Sequence, residues 1–208
     1  MNLYTKRFIQ FIKEAKNFVV AGILLFVTGV LFGVFNDNLH TMLDGQLEAV
    51  RELALRVKES SNPKLQLFIV ILFNNVLKAL LIIVLGALLS VIPIFFLLIN
   101  GAVLGYLFVL RSEELGAGKA LGELAKGILP HGIIEIPAII LAAAFGIKLG
   151  SYVYRWLGLV VAGKSRQILR QEWKEHALGL PLMGAGISVL LLVAAIIEST
   201  VTPWILSL

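Results

Sequence analysis

The chain has no cysteine among its 208 residues. That excludes disulfides and thiolate metal sites and leaves the redox compartment open. Charge is scarce too: 15% of residues are charged and 59% hydrophobic, where a soluble domain averages about 25% and about 45–50%. Mean hydropathy is +0.93. The apolar residues gather in runs near or above the ~18 residues that mark a bilayer span, so a water-surrounded domain is excluded. No GxSxG, HExxH, Walker or Rossmann pattern stands in a proper context, so no standard catalytic motif names an activity. The first apolar run ends in Gly33-Val34-Phe35-Asn36 without a small-x-small cleavage pattern and a polar mature chain after it. It reads as a signal anchor that is also the first span. The net charge of +5 sits beside apolar runs, where topology rather than nucleic acid accounts for it.

What remains is an all-α, polytopic transmembrane bundle in a single integral membrane domain over 1–208, with five spans plus amphipathic interfacial helices. The expected spans are about 18–35, 66–89, 92–110, 128–147 and 178–197. Residues 1–16 place Phe8, Ile9 and Ile12 on one helical face, away from most of Lys6, Arg7, Lys13 and Lys16, which predicts an interfacial helix. Residues 41–60 place Leu43, Leu47, Val50, Leu53, Ala54 and Val57 against many charges, a helix too polar to span that lies on the membrane or caps the bundle. Segment 151–176 is the third amphipathic stretch, and Tyr152, Tyr154 and Trp156 mark an aromatic belt. Residues 65–110 exceed one span and must turn near Leu89-Ser90-Val91-Ile92-Pro93. Residues 111–127, with Gly116, Gly118 and Gly122, read as a loop holding a short helix. Five spans place the termini on opposite sides. Ten Lys and Arg flank the spans on the amino-terminal side and seven on the other, which favours a cytoplasmic amino terminus and an outside carboxy terminus.

Seven polar residues fall at membrane depth: Asn74, Asn75, Lys78, Asn100, His131, Glu135 and Glu198. At about 1.5 Å per residue, Asn75 lies roughly 13 Å and Asn100 roughly 15 Å from the outer edge, and His131 and Glu135 lie about 5 and 10 Å down. Glu198 sits near the outer exit of the last span. All seven therefore fall in one half of the membrane, which predicts a polar pocket in the outer half of the bundle. His131 and Glu135 are four apart and share a helix face. Pro130 suits a first helical turn, and Pro137 frees the carbonyl of Ile133, so the segment is expected to face a polar cavity. His131, Glu135 and Glu198 offer the ligands of a zinc-like divalent site. The competing reading is a structural network in which Lys78 pairs with Glu135 or Glu198 and His131 bonds an Asn. Asn74 and Asn75 read equally as ties between helices. Gly29-xxx-Gly33, Gly101-xxx-Gly105 and Gly146-xxx-Gly150 let helices approach closely, inside the bundle or at the face of a homo-oligomer.

The blocks FNNVLKALL at 73–81, NGAVLG at 100–105, LPHGIIEIPAIILA at 129–142 and AAIIESTVTP at 194–203 resemble the stage II sporulation protein M family of integral membrane proteins. The resemblance covers spans two to five. It marks Asn74, Asn75, Asn100, Gly101, Pro130, His131, Gly132, Glu135, Pro137 and Glu198 as family-type positions. It implies five spans and a scaffold or assembly role linked to envelope remodelling, because the sporulation member works with peptidoglycan-degrading partners. Segment 41–60 is then the candidate partner-facing element. An intramembrane metal-dependent hydrolase is the alternative, with His131 and Glu135 on the metal and Glu135 or Glu198 as base. A transporter or flippase is the second alternative, disfavoured by inner halves with few polar residues and by the lack of an inverted repeat. The residues themselves identify no substrate.

Overall fold

The structure, a computed structural model, describes residues 3–88, 90–163 and 167–207, without the side chains of 3–5, 87–88, 168–169 and 171–178. Seven helices and no strand occur among the described residues: α1 (Leu3–Glu14), α2 (Lys16–Phe35), α3 (Asp37–Lys58), α4 (Pro63–Leu88), α5 (Val91–Leu115), α6 (Ala117–Val161) and α7 (Gln167–Leu206). Five are long and apolar enough to cross a membrane: α2, α4, α5, α6 and the Gly179–Leu206 part of α7. The chain is thus the all-α, five-span bundle expected.

Two elements differ from expectation. Residues 111–127 are not a loop. Helix α5 runs to Leu115, only Gly116 interrupts it, and α6 begins at Ala117. Gly116 takes φ 83°, which a residue without a Cβ adopts at little cost, and its N–H donates to the Ser112 carbonyl. Gly118 and Gly122 lie inside the helix among Ala, Leu, Lys and Glu, whose helical propensity outweighs them. At 45 residues α6 is about 68 Å long, more than twice a hydrocarbon core of about 30 Å. It projects beyond the membrane and absorbs residues 151–161 of the expected amphipathic segment. Residues 164–166 and the side chains of 171–178, which carry the rest of that segment's basic residues apart from Arg170, lie outside the described set, as does Leu89 in the expected turn.

The second difference is α1. Its apolar face is not left to the membrane surface. Phe8, Phe11 and Ile12 pack on the core formed by Ala79, Ala138, Phe145, Met183 and Ile187. The Phe11 ring meets Phe145 edge-on with centroids 6.0 Å apart, and the Phe8 and Phe11 rings fill the space left by Gly186 and Gly179. Glu14 at the end of α1 reaches the buried Lys148 of α6 at 3.5 Å.

Helix α6 is central and packs against α2, α4, α5 and α7. Glycines set its spacing to α4. A Cβ on Gly86 would strike the Gly146 backbone, and one on Gly150 would strike the Gly86 carbonyl and Ser90. The α2–α5 crossing is built the same way. A Cβ on Gly29, Gly33, Gly101 or Gly105 would collide with the carbonyl of Leu98, Ala102, Phe26 or Val30, respectively. All three spaced glycine pairs therefore serve packing within this chain. By contrast, nothing lies within 4 Å of a Cβ built on Gly122.

The same substitution should consequently have opposite signs at two sites. Gly33→Ala is expected to lower unfolding stability in detergent by about 1–3 kcal/mol through overpacking. Gly122→Ala is expected to be neutral or to add about 0.5–1 kcal/mol. Thermal unfolding followed by circular dichroism checks both.

Candidate functional site

Helices α4 and α6 run parallel in a register that pairs Gly86 with Gly146. Eleven residues earlier on each helix the same register brings Asn75 beside Glu135, and the Asn75 amide donates to Glu135 Oε1 at 2.8 Å. Helix α7 runs antiparallel to α6. Ala138, Ala142, Ala194 and Ala195 are fully buried, and their small side chains let the two helices close on each other. That closeness presents Glu198 to the face shared by His131 and Glu135.

His131 Nε2 lies 3.9 Å from Glu135 Oε2 and 4.0 Å from Glu198 Oε2. One donor atom from each of the three residues lies within 4.8 Å of the other two. The far side of the imidazole is also held, with Nδ1 3.3 Å from Thr202 Oγ1. The side chains are largely withdrawn from the surface: 12% exposed for His131, 18% for Glu135 and 29% for Glu198. Two carboxyl groups this close in a low-dielectric setting do not both stay ionised uncompensated; a proton held by one of them, a protonated imidazole or a bound cation relieves the repulsion.

The remaining expected residues divide. Asn74 is exposed and joins only through Asn75, donating to its Oδ1 at 3.2 Å. Lys78 is exposed on α4, near enough to act on Glu135 electrostatically, but no ion pair joins them among the described residues. Asn100 does not join the group. Its amide donates to the Phe96 carbonyl one turn back on α5 at 2.8 Å, which satisfies it locally. The expectation drawn from the prolines also needs correction. Pro130 lies well inside α6 rather than in a first turn, because the helix starts at Ala117. Pro137 is exposed and Ile133 is 67% exposed, so this stretch turns outward. Within this stretch of α6, His131 and Glu135 supply the ionisable side chains.

Three features escaped the sequence reading. Thr202, buried, is one turn beyond Glu198 on the same face of α7, and that i+4 spacing was the available signal. The Lys148–Glu14 pair lies toward the other end of α6, where Lys148 looked like a flanking charge. At the start of α3, His40 stacks on Tyr106 with centroids 4.3 Å apart and bonds the Gly33 carbonyl at 2.8 Å, while the Tyr106 hydroxyl donates to Asp44. These contacts tie α3 to α2 and α5. A groove lined by Thr28, Leu31, Phe32 and Phe35 adjoins the α2–α3 turn and shares no residue with the His131 group.

A family model described as Stage II sporulation protein M matches residues 22–203. The chain belongs to that family. Two uncharacterized proteins of Methanocaldococcus jannaschii are similar over most of its length. One is 26% identical over 185 residues, covering 89% of this chain and 77% of the relative. The other is 28% identical over 191 residues, covering 89% and 93%. No solved structure matches the chain. As a member of the stage II sporulation protein M family it is a multi-pass membrane protein, and the matched residues contain the whole His131 group while leaving out α1.

Asn75→Ala strips a partly buried carboxylate of a hydrogen bond between two helices, whereas Asn100→Ala removes a bond within one helix. The first is expected to cost about 1 kcal/mol or more in detergent unfolding, the second well under that. Equal costs would show that Asn75 does not link α4 to α6.

Proposed function

We propose that this protein is a scaffold or assembly factor of the cell membrane, with its amino terminus in the cytoplasm and its carboxy terminus outside. In this reading α3 lies on the outer face and docks an envelope or peptidoglycan-remodelling protein, while the polar group around His131 sits in the outer half of the bundle. Family membership supports the membrane setting, and the excess of Lys and Arg beside the amino-terminal segments supports the orientation.

The observation that carries the docking role is the half-covered apolar stripe of α3. One face of that helix holds Leu43, Leu47, Val50, Leu53, Ala54 and Val57. Leu43 is buried against Ala102 and Tyr106, with Leu47 packed beside it. Val57 is buried near the other end. Between these anchors Val50 is 63% and Leu53 43% exposed. The stripe is thus clamped at both ends and open in the middle, at a site beside charged groups such as Arg51, Glu52 and Arg56. An apolar strip with a charged rim, held on a rigid base, suits a protein partner.

Photo-crosslinking residues placed at positions 50 and 53 in cells test this. A discrete protein adduct at both positions, lost in the accompanying Leu53→Glu or Val50→Glu variant and absent from a probe at position 123, is expected. Adducts to lipid alone would remove the docking role.

A further inference from the structure

We infer that His131, Glu135 and Glu198 bind a divalent transition-metal ion of the zinc type, with at least one coordination position left open. The inference is independent of what α3 docks.

The donor set comes first. One imidazole nitrogen and two carboxylate oxygens from α6 and α7 lie within 4.8 Å of one another. Ligand atoms around a tetrahedral ion with bonds of about 2.0–2.1 Å stand about 3.4 Å apart. The His131 Nε2 distances of 3.9 and 4.0 Å are close to that spacing. With the three donor atoms spread over up to 4.8 Å, binding an ion draws the two glutamate side chains inward.

The second and independent observation is how the non-ligating atoms are held. Metal-binding imidazoles and carboxylates typically have their outer atoms fixed by hydrogen bonds that orient them toward the ion. Here His131 faces the carboxylates with Nε2, while Nδ1 meets Thr202 at 3.3 Å. Glu135 faces His131 with Oε2, while Oε1 accepts from Asn75 at 2.8 Å. Two of three ligands are therefore held from behind, with their free atoms turned to a common point. A structural network of the ordinary kind would join the three residues by direct short bonds. Here His131 Nε2 stands 3.9 and 4.0 Å from the two carboxylates instead.

Charge and chemistry select the ion. A divalent cation offsets the two carboxylates in a setting where an unpaired charge is costly. A site with an imidazole donor and only two protein carboxylates suits zinc and its neighbours. It is a poor match for magnesium or calcium, which favour all-oxygen shells. Three protein ligands leave the fourth position for water or another small donor.

Purified full-length protein, stripped with chelator in detergent and dialysed against Zn²⁺, tests the proposal by elemental analysis and by Co²⁺ absorption in the visible range. Wild type is expected to hold about one equivalent and to show Co²⁺ bands that Zn²⁺ abolishes and Mg²⁺ does not. His131→Ala and Glu198→Gln should each lose the stoichiometric ion. Thr202→Val and Asn75→Ala should keep the stoichiometry but weaken affinity about 10- to 100-fold, while Asn100→Ala should match wild type. Circular dichroism and size exclusion confirm that each variant is folded. Wild-type binding no greater than that of folded His131→Ala or Glu198→Gln would overturn the site. So would an equal loss in Asn100→Ala, or displacement by Mg²⁺ at matched concentration.

Discussion

Hydrocarbon is as apolar as leucine, so two helices in a bilayer gain little by burying leucines against each other. Association has to come from close van der Waals contact and from hydrogen bonds, and close contact requires small residues. Here glycines let backbones touch in two places, α2 on α5 and α4 on α6. The second contact has the wider consequence. With Gly86 seated on Gly146, the parallel course of α4 and α6 fixes which residues meet further along. Asn75 opposite Glu135 is one product of that register. Alanines do for α6 and α7 what glycines do for α4 and α6, and they bring Glu198 to His131. The polar group depends on packing by residues that carry no chemistry.

The same logic explains why the site sits on α6. This helix touches four of the others and is the most buried of the five spans. A side chain on it meets neighbours on several sides, so an ionisable group there can find partners on two other helices. Asn100 on α5 has no such position and satisfies itself on its own backbone. Lys78, exposed on α4, has a long stem that can carry its ammonium toward the membrane surface.

Much of the architecture was legible in the sequence because lipid imposes a length and a composition on any span. The five spans follow from apolar runs, and the shared level of Asn75, His131, Glu135 and Glu198 follows from counting residues along alternating helices. The i, i+4 spacing of His131 and Glu135 placed them on one face. What was illegible depended on competition between local signals. Gly118 and Gly122 looked like breakers but lie among strong helix formers, so α6 continues through them. Pro137 suggested a lined cavity, yet only packing decides which way a proline turns, and this one turns outward. The amphipathic pattern of α1 could not distinguish a membrane surface from the bundle itself. Its phenylalanines meet Gly179 and Gly186, a fit invisible without the distant helix.

The ionisable groups on α6 that are withdrawn from the surface fall at two separated levels. His131 and Lys148 are separated by seventeen positions on one continuous helix, about 26 Å along its axis. Between them α6 presents Ala138, Ala142 and Phe145 to α4 and α7, packed with Ala79, Ile83 and Ile187. Lys78 stands level with Ala138 but is exposed on α4, and no buried ionisable side chain interrupts that layer among the described residues. A route for a polar solute would need either a row of polar groups through it or two alternative packings of it. Glycine and alanine contacts this close oppose the second, because backbone against backbone leaves little room to slide. The two charged sites therefore act as separate features of one rigid core. The pair at Lys148 holds α1, which the family match leaves out. The group at His131 joins three spans within it.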